Sequence, residues 1–345
     1  MSLRVVVIDD SHVFAHALID MLQGDGDIAV VGTGSDGAEA LGLVESLRPD
    51  LVAMDVRMPM VSGLEAVEQI MAAHPTPIML LTSHPAHQGE RAVFDALSRG
   101  ALDLVSKANI DGTWLRDHVR LLASVPVVYR RRARIRQPSL PMGFDVTSGH
   151  GGVGLVASTG GPPVLAEILS RLPPDYPLPI VVVQHLAAGF APNLVSWLKD
   201  VCPLQVCIPR HGQAVEGGVV YVGPDDAHVT IGARDRIALD AASPPRDGHR
   251  PSGTLLLTSM ARAWGKRAVG VVLTGMGSDG GLGLLDVRRA HGLAIAQDQA
   301  TSTVYGMPRA AHELGAAEYV LGPVEIANKL VRAARALQPR ASDDR

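Results

Sequence analysis

Arg4-Val5-Val6-Val7-Ile8-Asp9-Asp10 opens the chain with a short apolar run that stops on two carboxylates. The run is β-branched and only a few residues long, which suits a strand buried on both faces better than an amphipathic helix. Similar runs recur at residues 29–32, 51–54, 78–81 and 102–105. Between them lie stretches such as 38–46 and 64–73, whose apolar residues repeat at the helical spacing of about 3.6. Strand and helix alternating in this way predict a parallel sheet with helices on both faces. Five such strands within residues 4–122 predict a small doubly wound domain.

Residues 124–149 interrupt the alternation. Arg130, Arg131, Arg132, Arg134 and Arg136 are followed by Pro138, Pro141 and Gly143, and no apolar period survives. This reads as a solvated linker whose like charges repel, although the arginines could also meet an acidic partner. From residue 152 the alternation resumes, with strands expected at 153–157, 180–183, 218–222, 268–273 and 293–296. Helices are expected at 163–170, 192–199 and 282–290, hairpins around 217–239, and a frayed end at 338–345. The chain is therefore expected to comprise a domain at 1–123, a linker at 124–149 and a larger, mostly parallel α/β domain with an antiparallel excursion at 150–340.

Composition narrows the function. With 47% hydrophobic and 19% charged residues among 345, the chain is not a disordered one. Its 35 acids against 31 bases, and only 3% aromatics, argue against a nucleic-acid binder built on a basic field or stacking platforms. Cys202 and Cys207 are too few for a disulfide framework and wrongly spaced for a zinc knuckle. No apolar run reaches the ~20 residues of a membrane helix, and no signal peptide is expected. A cytoplasmic, monomeric protein is the expectation.

Ligands of an open parallel sheet sit beyond the carboxyl ends of its strands. In the first domain those ends carry Asp9 and Asp10, then Asp55, then Thr82-Ser83, then Lys107. Three carboxylates converging on one edge repel each other unless a cation such as Mg²⁺ neutralises them. One of them could then attack a phosphoryl donor, with the Thr82 hydroxyl and the Lys107 ammonium on the new phosphoryl oxygens. Residues 4–122, through Val7-Ile8-Asp9-Asp10-Ser11, Asp55-Val56-Arg57-Met58-Pro59 and Lys107, resemble the flavodoxin-like receiver domain of two-component response regulators. The resemblance implies that Asp55 accepts the phosphoryl group and that Asp9, Asp10 and Asp55 hold Mg²⁺. Three positions depart from the pattern. Ala108 stands where proline usually follows the lysine, Leu104 where a switch aromatic usually sits, and Ser62-Gly63 where Asp-Gly usually follows Met-Pro.

In the second domain the strand at 153–157 runs into Ser158-Thr159-Gly160-Gly161-Pro162-Pro163. Glycines and then prolines suit a helix start, whose unpaired N–H groups could stabilise an oxyanion, but a serine in this place, taken alone, is more often a helix cap than a nucleophile. No Gly-Lys-[Ser/Thr] follows, so a P-loop fails. Gln184-His185 ends the next strand and offers a base at the same edge. Thr274-Gly275-Met276-Gly277-Ser278-Asp279-Gly280-Gly281 supplies a carboxylate that could accept the second ring N–H of His185. The same glycines also fit a dinucleotide fingerprint, with Asp298 about where a ribose-binding acid belongs. On spacing alone both readings stand.

Residues 153–330 resemble the catalytic domain of the chemotaxis protein-glutamate methylesterases. The resemblance rests on residues 157–161, Gln184-His185, residues 273–280, Gln297-Asp298 and Gly306-Met307-Pro308. It implies a catalytic Ser158, His185 and Asp279, with oxyanion support from the backbone near Thr159 and Met276. It further implies hydrolysis of glutamate methyl esters, and deamidation of glutamines, on cytoplasmic helices of a chemoreceptor. A chemotaxis-type histidine kinase would be the phosphodonor, phosphorylation would relieve the receiver's cover of the cleft, and hydrolysis would need no cofactor. The family tends to carry Pro-Ser-Val-Asp where this chain has Pro251-Ser252-Gly253-Thr254, a change expected to bear on the substrate side and not on the triad. His228 and His249 are expected at the surface or the core edge. A dinucleotide-binding enzyme and a non-catalytic regulator that only docks receptors are the alternatives.

Overall fold

The β-branched runs form strands whose side chains are almost all buried. The structure, a computed structural model, describes residues 2–83, 91–108, 110–127 and 151–337. Most of the expected arginine-rich linker and the expected frayed end lie outside the described residues. The chain divides into two compact units, Met1–Arg134 and Ile135–Arg345.

In the first unit the elements alternate as β1 (Leu3–Ile8), α1 (His12–Gln23), β2 (Ile28–Gly34), α2 (Gly37–Leu47), β3 (Leu51–Asp55), α3 (Gly63–Ala73), β4 (Ile78–Thr82), α4 (Arg91–Arg99), β5 (Asp103–Ser106) and α5 (Gly112–Ala123). The five strands form one parallel sheet in the order β2-β1-β3-β4-β5. Short polar side chains start the helices. Ser11, Asp36, Ser62 and Asp111 each accept a hydrogen bond from a first-turn N–H. At Ser62, where the usual receiver pattern has aspartate, Glu65 completes a capping box. The substitution thus keeps a strong helix start.

The second unit runs β6 (Gly152–Ala157), α6 (Gly161–Leu169), β7 (Ile180–Gln184), α7 (Ala191–Val201), β8 (Gln205–Cys207), β9 (Val219–Val222), β10 (His228–Ile231) and β11 (Ile237–Asp240). It continues with α8 (Gly253–Trp264), β12 (Ala268–Val272), α9 (Gly281–Arg289), β13 (Leu293–Gln297), α10 (Met307–Glu313), β14 (Tyr319–Leu321) and α11 (Pro323–Leu337). Seven strands form a parallel sheet in the order β14-β13-β12-β6-β7-β9-β8. The antiparallel excursion is real but smaller than expected. Among the described strands only β10 and β11 pair antiparallel, as a separate two-stranded sheet, whereas β9 lies parallel to β7 inside the main sheet. The edge strands β8 and β14 were not expected from the sequence. From β6 the chain moves one way to β7, and it returns on the other side through β12, β13 and β14. The strand order therefore reverses between β6 and β12, the crevice where open α/β sheets bind ligands.

The core beneath that crevice joins Val156, Val183, Val272 and Leu284 to Leu256, Leu257, Met260 and Trp264 of α8. It anchors the strand ends that carry the site. Among the described residues no helix is long and apolar enough to cross a membrane.

Candidate active site

In the first unit Asp9, Asp10 and Asp55 bring carboxylate oxygens within 4.8 Å of one another. Asp55 and Thr82 are the last residues of β3 and β4, and both are buried. Lys107, one residue past β5, places Nζ 2.6 Å from Asp9 Oδ2 and 2.9 Å from Asp55 Oδ2. Its ammonium also lies 4.6 Å from the Phe14 ring centroid. Burial raises the Asp55 carboxyl above its ordinary range, and Lys107 offsets that only in part. The only cis peptide among the described residues is Arg250–Pro251, so the bond to Ala108 is trans and Lys107 still reaches both acids. Three convergent carboxylates against one ammonium leave excess negative charge on hard oxygen donors, a set that fits a divalent cation such as Mg²⁺.

In the second unit Ser158, His185 and Asp279 follow β6, β7 and β12, three adjacent strands at the crevice. Ser158 does not cap the following helix. That position is Gly160, which has no side-chain cap bond, and among the described residues the Ser158 hydroxyl makes no hydrogen bond. Its backbone is tightly held, with N–H donating to Thr274 O at 3.0 Å and its carbonyl accepting from Gly161 N–H at 2.8 Å. Gly275 is required beside it, because a Cβ there would lie 2.6 Å from Ser158 Cβ and 2.4 Å from Met307 Sδ.

His185 Nε2 lies 2.9 Å from Asp279 Oδ2. A carboxylate only accepts, so the neutral ring carries its proton on Nε2 and keeps a lone pair on Nδ1. Nδ1 is buried and unpartnered among the described residues. The ring is thus used in the opposite sense to the serine-protease template, where the carboxylate takes Nδ1 and Nε2 faces the serine. The structure joins His185 to Asp279 and brings Ser158 to the neighbouring strand end, but no hydrogen bond links Ser158 to the ring.

Asp279 is 2% exposed and sits in a cradle at the start of α8. Ser252 Oγ–H donates to Oδ1 at 2.9 Å, Thr254 N–H to Oδ1 at 2.9 Å and Gly253 N–H to Oδ2 at 2.6 Å. Burial alone would raise this carboxyl, but the His185 contact and the backbone donors outweigh it and hold it well below the usual carboxylate range. Thr254 Oγ1 also accepts from Gly280 N–H at 2.9 Å, tying the Asp279 loop to the same helix start. The Pro251-Ser252-Gly253-Thr254 segment therefore supports the carboxylate through the Ser252 hydroxyl and two backbone N–H groups.

Both spare histidines belong to this site. His228 is 1% exposed, donates from Nε2 to Pro244 O at 3.1 Å and accepts at Nδ1 from Ser252 N–H at 3.2 Å, so it braces the cradle. The His249 ring stacks on His185 with centroids 3.9 Å apart and planes 3° from parallel. Burial, reinforced by His185, holds His249 below the ordinary histidine value. No local sequence pattern marks either role.

The oxyanion candidates lie on the same loops. The Gly275 carbonyl accepts from Gly306 N–H and Met307 N–H at 3.2 and 2.9 Å. The next N–H of a trans peptide points the opposite way. Met276 N–H accordingly faces away from those contacts and has no partner among the described residues. Thr159 is buried, and its carbonyl accepts from Thr274 Oγ1 at 3.0 Å. The dinucleotide reading finds no support here. The space at Gly275 is taken by Ser158 and Met307, and Asp298 Oδ1 accepts from Thr301 N–H and Oγ1–H at 2.9 and 2.5 Å within its own turn. Burial pushes the Cys202 thiol up to about 11 and raises Cys207 too, so neither is poised as a nucleophile.

Residues 153–330 match the family model for CheB methylesterase, and residues 5–120 match that for the response regulator receiver domain. A protein-glutamate methylesterase/protein-glutamine glutaminase of Anaeromyxobacter dehalogenans (strain 2CP-C) is 43% identical over 339 residues, covering 95% of this chain and 98% of its own. One from Myxococcus xanthus (strain DK1622) is 41% identical over 324 residues, covering 92% and 89%. Among solved structures, the CheB methylesterase catalytic domain of Thermotoga maritima is similar, with a TM-score of 0.52 and 36% identity over 54% of this chain and 99% of that one.

Proposed function

We propose a mechanism from one premise: this chain belongs to the CheB methylesterase family and carries a response regulator receiver domain. It is a protein-glutamate methylesterase and protein-glutamine glutaminase acting on chemoreceptors, with a receiver at 1–123, a linker at 124–149 and a catalytic domain at 150–340. Ser158 Oγ attacks the side-chain ester carbonyl while His185 Nδ1 takes the hydroxyl proton. Asp279 stays ionised and stabilises the imidazolium through Nε2. The N–H groups of Thr159 and Met276 donate to the oxyanion of the tetrahedral intermediate. Collapse expels methanol, protonated by His185, and leaves an acyl-serine. A water molecule, deprotonated by His185, then releases the glutamate and restores Ser158. With glutamine as substrate the leaving group is ammonia.

In the receiver, Asp55 takes the phosphoryl group from a chemotaxis-type histidine kinase, and Asp9, Asp10 and Asp55 would hold Mg²⁺. When bound, that ion supplies charge neutralisation among the three acids and the incoming phosphoryl oxygens. Lys107 and Thr82 contact the phosphoryl oxygens, and the phosphorylated receiver releases its inhibition of the esterase. The protein works as a monomer in the cytoplasm on the cytoplasmic helices of the receptor.

One observation carries the esterase mechanism: the His185–Asp279 contact of 2.9 Å, with Nδ1 left unpaired at the edge where Ser158 stands. The test is methanol release from methylated receptor, with and without a phosphodonor. Ser158→Ala is expected to abolish release while the protein stays folded, and substantial remaining activity would refute the nucleophile.

A further inference from the structure

Gln184 is the last residue of β7 and has no part in the chemistry just described, yet it is only 3% exposed. Its carboxamide lies between the two strand ends that carry Ser158 and His185. Nε2 donates to Ser158 O at 2.8 Å and to His185 O at 2.9 Å. Oε1 is buried with no partner among the described residues. A Cβ on Gly161 would lie 2.1 Å from that oxygen, so glycine at 161 leaves the space the carboxamide fills. An unpaired buried amide oxygen is unfavourable. The group is therefore held by what its nitrogen donates to.

Ser158 C=O and Thr159 N–H belong to one planar trans peptide and point in opposite directions. Gln184 Nε2 and Gly161 N–H pin the carbonyl inward. That turns Thr159 N–H to the far side, away from Gln184, and rotating the peptide would break both bonds. The equivalent peptide before Met276 is pinned by two backbone donors, those of Gly306 and Met307. Of the two, only the Ser158–Thr159 peptide depends on a side chain.

We infer that Gln184 is a positioning residue of the esterase: its carboxamide fixes the direction of the Thr159 N–H and ties the Ser158 strand end to the His185 strand end. This rests on the serine-esterase mechanism above. Two variants of the full chain test it. Gln184→Met keeps the length of the side chain and removes the donor. Gln184→Glu keeps the shape and sets an acceptor against two carbonyl oxygens. With methylated receptor as substrate, either is expected to lower kcat about 10- to 100-fold, with KM within about twofold. Inhibition by an aryl boronic acid, whose serine adduct is tetrahedral, is expected to weaken in proportion to the loss in kcat/KM. A packing role alone would lower the melting temperature without moving boronate affinity and kcat together. A folded Gln184→Met with wild-type kcat and boronate affinity overturns the inference. If that variant does not fold, Gln184→Glu decides by the same readouts. A wild-type protein that releases no methanol fails the esterase mechanism itself, whereas an active wild type beside an unaffected variant fails only the role of Gln184.

Discussion

Ser252→Ala separates the support of the carboxylate from the triad proper. Ser252 is fully buried, and its single hydroxyl works twice. It donates to Asp279 Oδ1 at 2.9 Å and accepts the Leu255 N–H at 3.4 Å as the cap of α8. A hydrogen bond to a charged group contributes about 1.5–3 kcal/mol and a serine cap about 0.5–2 kcal/mol. The two share one oxygen and the cap bond is long, so about 2–4 kcal/mol is the expected loss. For a unit of this size that lowers its melting temperature by about 5–15 °C. Catalysis should suffer less, because Gly253 and Thr254 N–H still hold Asp279 and keep the proton of His185 on Nε2. A transition-state loss of about 1.4 kcal/mol corresponds to a tenfold fall in kcat. The pH dependence adds a second check. The folded carboxyl lies below its ordinary value of 3.8, so its stabilisation is complete above about pH 4 and disappears as pH falls toward the folded pKa. Removing one donor shrinks that contribution, so the Ser252→Ala melting temperature should fall less steeply below pH 4 than that of the wild type. Differential scanning calorimetry across pH, alongside methanol release, gives all three quantities. A variant with wild-type melting temperature and rate would show that the cradle does not hold the carboxylate.

Three other perturbations bear on separate parts of the site. Gly275→Ala forces a methyl against Ser158 Cβ and Met307 Sδ, and overpacking of this kind costs about 1–3 kcal/mol. It should remove methanol release while circular dichroism still reports a folded chain, and an active variant would mean that Ser158 need not stand where it does. His249 is held below the ordinary histidine value of 6.5, so the unfolded chain binds the extra proton first and stability falls as pH drops below about 6.5. His249→Leu should flatten that slope between about pH 7 and 5, and unchanged curves would contradict the burial of the ring. In the first unit, Mg²⁺ at ten times its Kd should stabilise by about 1.4 kcal/mol, and Asp9→Asn should erase the shift seen in a thermal melt with and without chelator. A shift that survives Asp9→Asn would remove Asp9 from the ligand set.

Much of this architecture is legible in the sequence because the chemistry stands immediately after β-branched runs. Asp9, Asp55, Ser158 and His185 can each be placed at a strand end from the run that precedes them. What escapes has physical reasons. Strands β8 and β14 have three residues each, too few for any periodicity to register, and they form only by pairing at the sheet edges. Strand β9 suggests a hairpin because Gly217-Gly218 and Gly223-Pro224-Asp225-Asp226 bracket it with turn residues, yet it pairs parallel with β7 on one side and β8 on the other. His249 and the Ser252-Gly253-Thr254 cradle could not be read at all. Their partners, His185 and Asp279, lie far away in sequence, and a histidine in a turn carries no mark of the ring it will stack on.

Two glutamines explain how loops can hold such geometry. Catalytic loops leave the sheet just where its ladder of backbone hydrogen bonds ends, so their peptides need other partners or lose their orientation. Gln184 and Gln297 are the last residues of β7 and β13, and both are buried. Each reaches sideways into a neighbouring loop. Gln184 donates to the Ser158 carbonyl, and Gln297 Oε1 accepts the Thr274 N–H at 2.8 Å while its Nε2 donates to Thr301 O at 3.0 Å. Thr274 in turn donates to Thr159 O, so the loop after β6 is braced from both flanks. A carboxamide suits this position because it offers a donor and an acceptor without a charge to desolvate, and it extends the pairing of the sheet one step past its backbone. The N–H groups that must meet developing charge are then fixed before any substrate arrives. That preorganisation makes an oxyanion site effective, since no loop has to be reordered as the charge develops.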